Sequence, residues 1–123
     1  MSERYRLRVA GSAVVLGTDV ERADSSWVRM RGLLGRKSLT RGGGMRFEPA
    51  SSLHMLFMRF AIDVIYVDRE ERVVKLVSDL RPWRFSAARG AHSAYELPAG
   101  VIATAEIKIG DELVLDLAVE AAA

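Results

Sequence analysis

Ile62-Asp63-Val64-Ile65-Tyr66-Val67-Asp68-Arg69-Glu70-Glu71-Arg72-Val73-Val74-Lys75-Leu76-Val77 is the stretch that decides the fold class. Two runs of β-branched and aromatic residues flank four polar ones, Asp68 to Glu71, so residues 62–67 and 72–77 are predicted to pair as an antiparallel hairpin. One carboxylate interrupts the first run. In a strand Asp63 shares a face with Ala61, Ile65 and Val67. A carboxylate on such a face needs a partner, and Arg59, Arg31, His54 and backbone N–H groups are the candidates.

The same grammar extends outward in both directions. Upstream, Leu53 to Phe57 reads as a strand, and Met45 to Phe47 as a shorter one behind the break Gly42-Gly43-Gly44. The triple glycine is no phosphate loop: no Lys-Ser or Lys-Thr follows it, and a strand rather than a helix comes next. Near the start, Tyr5, Leu7 and Val9 alternate with Arg4, Arg6 and Arg8, and Gly11-Ser12 turns the chain into a second strand, Ala13 to Leu16. Between these parts Trp27, Met30, Leu33 and Leu34 recur at helical spacing after the capping candidates Asp24, Ser25 and Ser26, and the pattern stops at Gly35. Downstream, Arg81 to Phe85 is irregular, Ala94 to Leu97 a short strand, Pro98 to Ala105 a short helix, and Leu113 to Leu117 a last strand after Gly110-Asp111. The tail 120–123 is expected to fray.

About seven strands around two helices give an α+β domain. The expected architecture is a mainly antiparallel or mixed sheet, one face solvated, curled toward a small barrel, with one amphipathic helix and one short helix. At 123 residues, half of them hydrophobic and 28% charged, the chain has the size and balance of one domain, 1–123.

Charge and composition also exclude chemistries. There is no cysteine, so disulfides, thiolate metal ligands and thiol nucleophiles are absent. The net charge is only +2, yet residues 1–46 hold ten basic and four acidic side chains while 47–123 hold eight and twelve. Such asymmetry can mark a face for an anionic partner. The Arg-rich helix lacks interleaved aromatics, however, which argues against nucleic acid. No apolar run approaches the ~20 residues that span a bilayer. The early arginines followed by Val9 to Gly17 imitate a signal peptide, but glycines interrupt that run and no cleavage pattern follows, so a cytoplasmic protein is expected.

The candidate site lies in Ser51 to Asp63. His54 and Asp63 are polar residues on apolar strand faces, and they are the catalytic candidates, a general base and the carboxylate that orients it. Met58, Arg59, Trp83 and Glu96 are the ligand-binding candidates; Trp83, between Arg81 and Arg84, could stack on a flat or anionic ligand. A triad of Ser51 or Ser52 with His54 and Asp63 lacks a nucleophile elbow. No metal is expected, because His54, His92, Asp63 and Glu96 show no ligand spacing, and no cofactor motif occurs.

Arg29-Met30-Arg31-Gly32-Leu33-Leu34-Gly35-Arg36, Gly43-Gly44-Met45-Arg46-Phe47, His54 to Asp63, and Glu96-Leu97-Pro98-Ala99-Gly100 before Gly110-Asp111 follow one another in an order that resembles the domain of unknown function family 192 (DUF192, also uncharacterised protein family 0127). The resemblance covers about residues 13–117. It implies a compact prokaryotic domain, mainly β and partly barrel-like, with no established activity, and hallmark positions at Gly32, Leu33, Met58, Asp63, Glu96 and Gly100. Family members often carry a secretion signal, and a proline is frequent where this chain has Ala61. The leading expectation is a small binding domain for a ligand, peptide or protein, with a pocket near His54, Arg59, Asp63 and Glu96. The alternatives are a hydrolase using His54 and Asp63, and a surface that binds anions or nucleic acid through the Arg-rich N-terminal part.

Overall fold

The computed structural model of the chain describes residues 3–23, 39–55 and 59–120. In chain order the elements are β1 (Glu3–Val9), β2 (Val15–Ala23), β3 (Gly43–Phe47), β4 (Ser52–His54), β5 (Ile62–Val67), β6 (Val73–Leu80), β7 (Phe85–Ala87), β8 (Ser93–Pro98), α1 (Val101–Ala105) and β9 (Leu113–Glu120). Seven strands form one mixed sheet in the order β6-β5-β8-β3-β2-β1-β9, and β4 and β7 form a two-stranded sheet of their own. Within the large sheet only β2 and β3 run parallel. The sheet is not closed, but its edges meet at one end. Leu113 N–H donates to Glu71 O (2.9 Å) and Val73 N–H to Asp111 O (2.8 Å).

The hairpin at residues 62–80 forms as its sequence requires, with Asp68 Oδ1 accepting the N–H groups of Glu70 and Arg72 (both 2.9 Å) to fix the turn. The first hairpin forms too, although β2 runs on to Ala23 and pairs with β3. Two expectations change. The strand β7 was not foreseen, because Pro82 and the polar run after it mask a segment that pairs with β4. The short helix begins at Val101 rather than Pro98, since Pro98 completes β8 and Gly100, at φ 101°, turns the chain into the helix. The amphipathic helix expected over Trp27 to Leu34 lies outside the described residues.

The expected solvated sheet face is corrected for β3, β5 and β8. β3 and β5 are buried at every position and β8 at all but its last. In these three strands alternation therefore sorts side chains between two cores rather than between core and water, while β1, β2 and β6 keep exposed positions. Met45, Phe47, Ile62, Val64, Tyr66 and Ala94 face one core, which also takes in Ala50, Met55 and Ala88 beside the small sheet. Ile65, Val67, Tyr95 and Leu97 face the other, with Leu7, Leu16, Val20, Ile102 and Leu113.

The triple glycine has a packing explanation. Gly42 turns at φ 82°, and its carbonyl accepts from both Thr18 and Asp19 N–H (2.9 Å each). A Cβ on Gly44 would lie 2.6 Å from Leu97 Cδ2 and 3.0 Å from Glu96 O, so β3 can approach β8 only without a side chain there. Among the described residues no helix is long and apolar enough to cross a membrane, a statement about helices alone.

Candidate functional site

Asp63 is fully buried, and three backbone donors hold its carboxylate. Oδ1 accepts Asp79 N–H (2.9 Å); Oδ2 accepts Gly100 N–H (3.0 Å) and Ile102 N–H (2.9 Å). Each donor is an orphan of regular structure. Between Ile62↔Leu80 and Val64↔Val77 the register slips by one residue, a bulge that takes the N–H of Asp79, at φ 55°, out of the ladder. Gly100 and Ile102 stand at the start of α1, whose first N–H groups have no partner inside the helix. One carboxylate thus ties a bulge to a helix start.

That arrangement separates Asp63 from Glu96, two of the residues expected to share a pocket. Asp63 pairs with Leu97 and Val64 with Glu96, so the two carboxylates point to opposite faces of the sheet. Glu96 lies on the side of Tyr66, whose hydroxyl meets Ser86 Oγ at 2.5 Å beneath β7. Burial raises the Tyr66 phenol above its ordinary pKa, Ser86 pulls it partly back, and the negative charge of Glu96 adds to the rise. His54 enters β4 and pairs with Phe85 through its backbone. Arg59 is exposed ahead of β5. Met58 lies outside the described residues. Trp83 is 61% exposed in the loop before β7.

A larger polar cluster was not anticipated. Arg46, buried on β3, donates from Nη1 to Glu48 Oε2 (2.6 Å), from Nη2 to Glu71 Oε2 (3.1 Å) and Ser93 Oγ (3.0 Å), and from Nε to the Tyr95 hydroxyl (3.2 Å). Tyr95 in turn donates to Glu71 Oε1. His92 Nε2 lies 2.9 Å from Glu48 Oε1 and extends the chain toward solvent. Burial alone would lower the Arg46 pKa, but its contacts with Glu48, Tyr95 and Glu71 outweigh that and raise it. The hydrogen bond from Arg46 holds the Glu48 carboxyl below its usual range. Burial, then Glu71, pushes the Tyr95 phenol up. The one clue in the sequence was Arg46 amid apolar neighbours, since its partners stand two to 49 residues away.

Two concave regions adjoin these clusters. A groove of about 880 Å³ runs between Leu16, Gly17 and Thr18 of β2, the Leu39–Gly42 connection, and Pro98 to Glu106 including α1. A smaller cavity of about 290 Å³ is lined by Pro49, Ala50, Ser51, Ser52, Ala91 and His92. Among the described residues no group of three or more His, Asp or Glu could hold a metal ion.

Comparison with known proteins fits this fold. A family model described as "Uncharacterized ACR" matches residues 7–115. The UPF0127 protein of Thermococcus sibiricus is 45% identical over 64 residues, 51% of this chain and 41% of that protein. The chain spans about half the length of the curated relatives it matches. A crystal structure of a protein of unknown function from Novosphingobium aromaticivorans is similar at a TM-score of 0.77 and 25% identity, covering 89% of this chain and 83% of that one. A second, of a protein from Sinorhizobium meliloti described as a candidate transcription regulator, shares the fold at a TM-score of 0.77 and 21% identity, covering 94% of both chains.

Proposed function

Because the chain belongs to the DUF192 family, whose name carries no reaction, we propose a function from its own geometry: it is a binding domain that holds an apolar ligand or peptide segment in the groove beside α1. The supporting observation is the Asp63 latch. A buried carboxylate is costly unless fully satisfied, and here it is satisfied by fixing the wall of the groove, through Gly100 and Ile102. The groove's volume falls in the range of small-molecule sites, roughly 300–1,000 Å³. Leu16, Leu39, Pro98 and Val101 supply apolar walls, and Arg41 a cation at the rim. Asp63 is then a positioning residue rather than a catalytic one.

Anilinonaphthalene sulfonate, an apolar dye with one anionic group, probes the groove. It is expected to bind the native chain saturably with enhanced fluorescence. Thr104→Trp, which fills the groove from the exposed side of α1, should weaken that binding at least about tenfold, roughly 1.4 kcal/mol, without shifting the unfolding midpoint. Unchanged dye binding in the variant would refute the assignment.

One observation favours a second reading, a hydrolase. His92 and Glu48 form a base-and-carboxylate pair beside the cavity that holds Ser51 and Ser52. In that reading His92 and Glu48 take the roles expected of His54 and Asp63, and the depressed Glu48 pKa keeps its carboxylate ionised to orient the ring. Hydrolysis of p-nitrophenyl acetate should then fall by about 10²-fold or more in His92→Ala. Equal rates in variant and parent would eliminate the reading.

A further inference from the structure

We infer that the outer side of the small β4–β7 sheet, with the loop that precedes β7, is a stacking surface for single-stranded nucleic acid. The loop Arg81-Pro82-Trp83-Arg84-Phe85 interleaves two arginines with two aromatics, and both rings face water: Trp83 is 61% exposed and Phe85 68%. Leaving large aromatics in solvent forfeits their burial. The loop is nonetheless held to that display. Trp83 N–H donates to Met55 O and Met55 N–H donates to Arg84 O, both at 2.7 Å, and this pair of bonds clamps the loop to the end of β4. Trp83 sits at φ 68°, a left-handed conformation that is strained for a bulky residue and persists only where the surroundings enforce it.

Charge identifies the partner. Residues 80–95 contain Arg81, Arg84 and Arg89 and no acidic residue, and residues 49–62, which supply β4, contain none either. The twelve acidic side chains of residues 47–123 all lie outside these two segments. Lys75 adds a cation beside β7, its Nζ donating to Ala87 O (2.6 Å). Arg81 does contact Asp79 at 3.3 Å, but both side chains are exposed and such a pair gives way readily to phosphate. Exposed rings beside arginines, on segments that carry no carboxylate of their own, are the elements that stack bases and track a phosphate backbone without reading sequence. A lipid surface fits less well, because Arg81 and Arg84 alternate with the two rings and leave no continuous apolar face to insert. The Arg-rich segment near residue 30 lacks interleaved aromatics; here they interleave.

A fluorescein-labelled dT oligomer of about 12 nucleotides, titrated by anisotropy, tests the surface. Saturable binding is expected, weakening about tenfold or more as salt rises from about 50 to about 200 mM. Trp83→Ala and Phe85→Ala should each weaken it at least about fivefold, and Phe85→Tyr should restore it, since only the ring is required. Matching unfolding midpoints for Phe85→Ala and the parent establish that the loss is not misfolding. Absence of saturable binding, or parental affinity in both alanine variants, would overturn the proposal. So would binding to phosphatidylserine vesicles with none to the oligomer.

Discussion

Asp63→Ala is expected to lower the stability of the fold by about 3–5 kcal/mol, read as a shift of the urea midpoint at unchanged slope. The size follows from what the substitution strands. Three buried N–H groups, on Asp79, Gly100 and Ile102, lose their acceptor together, and each unsatisfied donor costs about 1–3 kcal/mol before water or a local shift recovers part. Asp63→Asn should recover only part, because one end of the amide presents N–H donors to N–H donors whichever way it flips. With total stabilities of about 5–15 kcal/mol for domains, the alanine variant sits near the edge of folding. It should also weaken dye binding in the groove, since the start of α1 loses its tether. A carboxylate whose task was only to orient a catalytic histidine would leave the midpoint within about 1 kcal/mol, and that outcome would refute the latch.

The same residue shows how far the sequence was legible. An acid inside Ile62–Val67 had to have a partner, and backbone N–H groups stood among the candidates. Which ones could not be read, because the donors are created by a bulge in β6 and by a turn at Gly100, and both are products of pairing register. Register likewise decides that Asp63 and Glu96 face opposite cores: alternation along β5 and β8 is visible in the sequence, the offset between the strands is not. The hairpins were legible because their turns are local. β7 was not, since its three residues gain strand geometry only by lying against β4.

Two buried polar sets share the second core. Asp63 and the Arg46 cluster lie at opposite ends of one face, beside Leu97 and beside Tyr95 and Ser93 respectively, with apolar side chains between. Regular strands satisfy their own backbone, so the N–H groups that meet Asp63 come from places where the ladder fails. At the second end Glu71, at φ 62°, stands where the two edges of the sheet meet, and its carbonyl accepts from Leu113 while its carboxylate meets Arg46 and Tyr95.

Replacing Arg46 should therefore loosen the meeting of the two sheet edges and cost about 2–4 kcal/mol in Arg46→Met at neutral pH, because Glu48, Glu71, Ser93 and Tyr95 lose their shared donor at once. Its pH dependence is the sharper test. Glu48 titrates below its ordinary value in the folded chain, chiefly through the Arg46 hydrogen bond. The folded state then binds that proton less readily than the unfolded one, so the contribution is present above the ordinary carboxylate range and is lost as pH falls through the depressed value. Arg46→Met should flatten this acid limb. At the other end Tyr95 titrates above its ordinary value, first through burial and then through Glu71. Its contribution is complete below about pH 10, the unfolded value, and is lost as pH rises beyond it. Tyr95→Phe should flatten that alkaline limb in part, the remainder belonging to Tyr66, whose phenol is also raised. Stability measured by urea titration from acid to alkaline pH checks both limbs, and an acid limb equally steep in Arg46→Met and the parent would show that Glu48 does not depend on this arginine.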